Sequence, residues 1–198
     1  MSKNTHHYFV LYKPDGYLSQ FSNNGPQKKR IKLLGELGSF PEGTMAVGRL
    51  DLQSEGLLLL TTNGKWSDRV CRSGIEKEYH VQVDGLITEQ AMVSLRAGVS
   101  IAVKQSNHHT KPCAVYALEE EPEFPKRHKP IRHSRHGPTS WLSITLTEGK
   151  FRQIRKMTAA VGFPTLRLVR VRIGPFTLDG LQPGQFREIH SETIQSFD

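Results

Sequence analysis

Hydrophobic positions along this chain follow two spacings, one of two residues and one of three to four, and each change of spacing marks an element. "YFVLYK", Tyr8 to Lys13, predicts a strand that Pro14 and Gly16 close in a turn. "KKRIKLLGELG", Lys28 to Gly38, reads as a short helix, and "GLLLLT", Gly56 to Thr61, as a strand buried on both faces. "KWSDRVCR" adds a helical turn or two. In "EKEYHVQVDG", Tyr79, Val81 and Val83 share one strand face, and "TEQAMVSLRAG" has a Thr88 cap, Glu89 in the first turn and Gly98 at its end, the marks of a helix.

"KPCAVYALEE" and "SWLSITLTEG" alternate again and predict the two arms of a long hairpin. Between them Glu119 to Pro138 has neither period: four glutamates give way to Lys126, Arg127, Lys129, Arg132 and Arg135, with histidines interleaved. This stretch predicts a mobile basic loop inserted in the hairpin. The last third predicts a helix from Lys150 to about Val161, a stop at Gly162 and Pro164, and a strand from Thr165 to Ile173. On that helix Phe151, Ile154, Met157 and Val161 turn inward, and Arg152, Arg155 and Lys156 share the outer face. Hairpins outnumber strand–helix–strand crossovers, so the expected fold class is α+β, a mixed, mostly antiparallel central sheet flanked by helices.

At 198 residues, one domain over 1–198 is expected, built as two lobes sharing one sheet. Hydrophobic residues at 36% and charged residues at 23% exclude a disordered chain and a membrane protein. The run Leu57 to Leu60 is too short to span a bilayer, and "MSKNTHHYFVLYKP" has no secretion-signal apolar stretch. Cys71 and Cys113 form no CxxC spacing, which fits a reducing compartment; the expected location is the cytoplasm. Charge changes the picture more. A formal net charge of +8 favours a polyanionic partner such as nucleic acid or an anionic membrane surface.

The positive charge concentrates late in the chain. Lys150, Arg152, Arg155, Lys156, Arg167, Arg170 and Arg172 meet no carboxylate between positions 150 and 172, a pattern of phosphate binding or of a solvated basic face. Arg170 and Arg172 share a strand side with Leu166 and Leu168, so at least one enters a cleft or is paired. The histidines, among them His6, His7, His108 and His109, match no zinc spacing, and no metal site is expected. No GxGxxG opens a helix and no Gly-Lys-Ser/Thr is present, so no nucleotide cofactor is implied. "LQSEG" is a poor nucleophile elbow, with leucine where the first glycine should stand. Asp51, two residues after Arg49 and just ahead of the leucine run, reads either as a turn residue or as a catalytic carboxylate.

"GRLDLQSEGLLLLTTNG" resembles the signature of the RsuA-like family of pseudouridine synthases. "YKPDGYLSQ" resembles the family's Lys-Pro-x-Gly motif, "KEYHVQVDG" its Lys-x-Tyr strand, and "EGKFRQIRKMTAAVGFPTLRLVRVRIG" its C-terminal basic motif, all in the expected order. Most of the chain is covered, and the pattern is most like the family's short E type, which acts on large-subunit ribosomal RNA. The resemblance implies the pseudouridine synthase fold, with an active-site cleft across the sheet. It implies Asp51 as the catalytic carboxylate, Tyr79 as the aromatic against the target base, Arg155 as the cation holding Asp51, and Arg49 as the residue filling the stack the base leaves. RNA contacts then fall to Arg49, Lys77, Lys150, Arg152, Lys156, Arg170, Arg172 and the loop 126–136. A separate N-terminal RNA-binding module, present in many relatives, is not expected. Nor is a cofactor, and the expected partner is ribosomal RNA bound by a monomer.

Four alternatives stay open at this point. Tyr79 also reads as a core aromatic, Arg49 as the partner of Glu55 or Asp51, and the basic loop as a solvated insertion. A noncatalytic RNA-binding or ribosome-assembly protein would use the same basic surface.

Overall fold

The structure, a computed structural model, describes residues 6–22, 31–127, 130–131, 136–190 and 193–194. The chain forms two compact units, Met1–Gly74 with Pro175–Asp198, and Ile75–Gly174. Along the chain come β1 (Tyr8–Lys13), a 3-10 turn (Leu34–Leu37), β2 (Met45–Val47), β3 (Glu55–Thr61) and α1 (Gly64–Arg72). Next are β4 (Lys77–Asp84), α2 (Glu89–Ala97), β5 (Ser100–Val103), β6 (Ser106–His109), β7 (Ala114–Ala117), β8 (Thr139–Leu146), α3 (Gln153–Ala160) and β9 (Thr165–Ile173). β10 (Phe176–Thr177) and β11 (Phe186–Glu188) return to the first unit. This is the α+β class that the periodicity predicts.

In the first unit β1 runs antiparallel between β11 and β3, and β2 pairs antiparallel with the last residues of β3. Leu57, Leu58, Leu59 and Leu60 are all at 0% exposure, so β3 is covered on both faces as its unbroken apolar run predicts. On one face Leu58 and Leu60 join Phe9, Leu11 and Leu34, ringed by Phe21, Phe40 and Phe186. Each leucine so buried contributes about 1.5–3 kcal/mol relative to exposure. α1 lies against β2 and β3; the Asn63 side chain caps it by accepting from the Trp66 N–H, and Trp66 and Val70 are buried. The helix predicted over Lys28 to Gly38 is only the 3-10 turn among the described residues. Gly35 and Gly38 weaken a longer helix, and the one turn that forms carries Leu34 into the aromatic cluster.

In the second unit the strands lie in the order β9-β4-β8-β7, every neighbour antiparallel, and β5 and β6 form a separate hairpin. β7 and β8 are the predicted hairpin arms, paired from Ala114↔Thr145 to Ala117↔Leu142. Val81 and Val83 of β4, Leu142, Ile144 and Leu146 of β8 and Leu168 of β9 meet Met92 and Leu95 of α2 and Ile154 and Met157 of α3 in one core. α2 starts at the predicted Thr88 cap and stops at Gly98, whose φ is +99. A Cβ at Gly98 would lie 2.2 Å from the Thr110 carbonyl oxygen, so only glycine fits where α2 meets the strand that follows.

Candidate active site

Asp51 sits in the first unit, on the turn between β2 and β3, half-buried, with its carbonyl accepting from the Ser54 N–H at 3.0 Å. The turn is clasped at both ends. At Leu50 the Ser19 hydroxyl lies 2.9 Å from the peptide N–H and 2.9 Å from the carbonyl oxygen, serving both from a buried position. Beyond Asp51, the Leu52 carbonyl accepts from the Gly16 N–H at 2.8 Å. The Lys13 ammonium, at 0% exposure, donates to the carbonyls of Ser54 at 2.8 Å, Pro14 at 2.9 Å and Leu52 at 3.4 Å. Three donors meet three acceptors, the condition under which an ammonium can be taken out of water. Lys13 ends β1 and pairs with Gly56 of β3, so the strand into which the turn leads is held before the side chains act. Asp51 therefore projects from a backbone held on either side of it.

Arg49 is exposed on the same turn and makes no hydrogen bond or ion pair among the described residues. The alternative of a bridge to Glu55 or Asp51 is thus not realised, and its guanidinium is left to solvent.

In the second unit Tyr79 pairs in register with Arg170 of β9, whose guanidinium lies 5.9 Å from the ring centroid. Tyr79 also packs against the core, so its structural role is present, and Arg170 is only 3% exposed. The expectation that β9 hides or pairs an arginine holds for both. Arg172 donates to Glu78 at 2.9 Å, to Glu76 at 3.0 Å and to the Gly174 carbonyl at 3.2 Å. Burial works to raise the Glu78 carboxyl, but hydrogen bonds from Arg172 and Ser143 and the Arg172 charge outweigh it and hold the group below its ordinary value. His80 beside it is pushed down by burial, against the pull of Glu78. Lys77 donates to the Ile75 carbonyl at 2.8 Å.

The basic helix departs from its prediction at its start. α3 begins at Gln153, and Arg152 precedes it in the left-handed region, φ 53 and ψ 38. Arg152 therefore does not share the helical face of Arg155 and Lys156, and Phe151, expected inside, is 69% exposed. Ile154 and Met157 do turn inward. Lys156 donates to the Ala102 carbonyl on β5 and stands 5.2 Å from the Phe151 ring centroid. Lys150 is exposed and Arg155 half-buried.

A half-buried carboxylate fixes this segment. Glu148 accepts from the Lys111 N–H at 2.9 Å, the Gln153 amide at 2.7 Å and His108 at 3.0 Å, while Gln153 in turn accepts from the Lys150 N–H at 2.8 Å. Burial works to raise the Glu148 carboxyl, and these hydrogen bonds, with the His108 charge, outweigh it and hold it low. The peptide leading to Arg155 is therefore tied at both ends, as the Asp51 turn is. Nothing in the residue pattern marks Lys13, Ser19, Glu148 or Gln153 for these roles; only the family resemblance draws attention to the Lys-Pro and Glu-Gly segments.

Of the predicted basic loop, residues 128–129 and 132–135 lie outside the described residues. The acidic stretch before it is anchored: Phe124 packs 5.8 Å from both His80 and Trp141, and Arg167 lies over its ring and donates to the Pro125 carbonyl at 2.8 Å. No three metal-ligating side chains cluster among the described residues, and no helix there is long and apolar enough to cross a membrane.

The sequence matches the family described as RNA pseudouridylate synthase over residues 7–160, from the start of β1 to the end of α3. The chain belongs to the RNA pseudouridylate synthase family. Relatives in this family include the ribosomal large subunit pseudouridine synthase E of Xanthomonas axonopodis pv. citri, 44% identical over 176 residues, 88% of this chain and 89% of that one. The protein of the same name from Vibrio parahaemolyticus is 40% identical over 182 residues, 91% of this chain and 72% of that one. A solved pseudouridylate synthase superposes with a TM-score of 0.77 at 26% identity, covering 98% of this chain and 74% of that one. Pseudouridine synthases isomerise a nucleoside in place.

Proposed function

We propose that this chain converts a uridine of large-subunit ribosomal RNA to pseudouridine, with Asp51, Tyr79 and Arg155 serving the one reaction. The observation that carries the assignment of Asp51 is its turn, clasped by Ser19 on one side and by the buried Lys13 ammonium on the other. The large-subunit substrate is supported by relatives at 40–44% identity that bear that name. The protein works in the cytoplasm as a monomer on this RNA.

The chemistry breaks the bond from uracil N1 to ribose C1′, turns the base, and joins C5 to C1′. N1 gains a proton, C5 loses its hydrogen to water, and atoms balance without oxidant or added group. The detached uracil spreads its charge over ring nitrogens and carbonyls, so it departs without the second carboxylic acid that glycosidases use. Asp51 acts as an ionised carboxylate, attacking the sugar or removing a sugar proton. A guanidinium favours the ionised form of a carboxylate it serves, which is the part this reading gives to Arg155. The target uridine is flipped from its stack at a cost of a few kcal/mol, and Tyr79 packs on the uracil. Arg49, solvent-facing and unpaired, fills the space left behind.

Tritium at uridine C5 tests this directly. Ribosomal RNA from a deletion strain should release label to water with the purified chain, while Asp51→Asn binds the RNA and releases none. Equal release by Asp51→Asn would overturn the role of Asp51, and free uracil would mean a hydrolase instead. An assembly protein would release no label with either chain.

A further inference from the structure

We propose that Phe151 is a stacking platform for an unpaired nucleotide of the RNA substrate, with Lys150 and Arg152 reaching the phosphates on either side of it. The inference rests on the RNA substrate proposed above and adds a second base contact, made by the lead-in to α3 and not by Tyr79.

Phe151 is the most exposed large hydrophobic side chain among the described residues, at 69%. Single exposed apolar residues are common, and exposure alone would say nothing. What distinguishes Phe151 is that its backbone is fixed. The Glu148–Gln153–Lys150 hydrogen bonds tie the residues around it, and Arg152 next to it holds a left-handed conformation that a side chain with a Cβ adopts only against steric strain. Such strain persists where the surroundings over-determine it, and it gathers at binding sites. Its effect here is to bury Gln153 at 5% exposure while leaving its neighbour but one outside.

Charge selects the occupant. Lys150 and Arg152 flank the ring in sequence and both are exposed, and the Lys156 ammonium stands 5.2 Å from the ring centroid. No acidic residue follows Glu148 until after Arg172, and Glu148 itself is engaged by three donors. An exposed aromatic among cations is the arrangement by which proteins stack single-stranded bases while tracking their phosphates. An acidic peptide would satisfy the cations but leave the ring face uncovered, and a duplex presents phosphates but no free base face.

The test uses the full chain and a short single-stranded oligouridylate, an abasic strand of equal length, and an RNA duplex. Phe151→Ala should weaken oligouridylate binding about tenfold, Phe151→Leu about as much, and Phe151→Tyr should bind like the unaltered chain. Binding of the abasic strand and the duplex should be the same for all four. In Phe151→Trp the new indole is exposed, whereas Trp66 and Trp141 are buried at 2% and 5% exposure. Oligouridylate should therefore quench its fluorescence, and the abasic strand should not. Equal binding by Phe151→Leu and the unaltered chain, or equal quenching by the abasic strand, overturns the proposal. Tritium release by the unaltered chain reads the reaction separately, so a failed stack and a failed enzymatic assignment give different results.

Discussion

The Lys13 ammonium lies 2.8 Å from the carbonyl oxygen of Ser54, and the Ser54 N–H closes the turn on the carbonyl of Asp51. A residue at the end of one strand thus sets the backbone of the turn that leads into its neighbour.

Lys13→Met keeps the length and apolar stem of the side chain but removes all three donors. The Ser54 and Pro14 carbonyls lose their ammonium partner, and at about 1–3 kcal/mol for each group left unsatisfied, stability should fall by about 2–6 kcal/mol. Urea denaturation measures this. Turnover should fall by about a hundredfold at a temperature where the variant remains folded, because a displacement of about an ångström at a catalytic group has that effect.

Acid stability should report on Glu148. Its folded-state pKa lies below the ordinary 4.5, so its contribution is complete above pH 4.5 and disappears as the pH falls through the lower folded value. Glu148→Gln removes this dependence, so its melting temperature should change less than that of the unaltered chain between about pH 5 and pH 3. Because the Oε1 that Gln153 and Lys111 share becomes an uncharged amide oxygen, both hydrogen bonds weaken and the variant should also melt lower at neutral pH. Thermal melts across that range decide both points.

The two cysteines should differ sharply in reactivity. Burial and the nearby Glu148 carboxylate push the Cys113 thiol up to about 11, and its Sγ–H is directed to the Leu95 carbonyl at 3.2 Å. At neutral pH almost none of it is thiolate, the reactive form. Cys71 is exposed. A thiol reagent applied to the native chain should therefore modify Cys71 and leave Cys113 until the protein is denatured, as peptide mapping would show.

Elements whose pattern is local were legible in the sequence. The strand Thr165–Ile173 and the helix capped by Thr88 form as the residues predict, and the four leucines are buried on both faces because no polar residue interrupts them. Arg172 was legible only as a residue in need of a partner, since Glu78 and Glu76 lie 94 and 96 positions away and strand pairing alone brings them near. The helical spacing that places Phe151 inside runs one turn past the start of α3, across a left-handed Arg152 that no periodicity reveals. Lys13 gave no sign of burial, since a lysine at the end of an apolar strand reads as its exposed terminus; its acceptors are carbonyls, which every residue carries. Asp51 was ambiguous on spacing and became a candidate for catalysis through family resemblance.

The ion pairs of Arg172 with Glu76 and Glu78 have a consequence for how binding responds to ionic strength. Arg172, together with Arg167 at 8% exposure and Arg170 at 3%, already has its charge occupied within the fold or screened from counterions. Fewer condensed cations are then displaced from the nucleic acid than the basic count between 150 and 172 suggests. Each phosphate neutralised on a single strand adds about 0.7 to the slope of log affinity against log salt. With Arg167, Arg170 and Arg172 so engaged, that slope should lie well below the value of about 5 that seven phosphate contacts would give, and association should survive salt concentrations that dissociate a protein relying on bare charge.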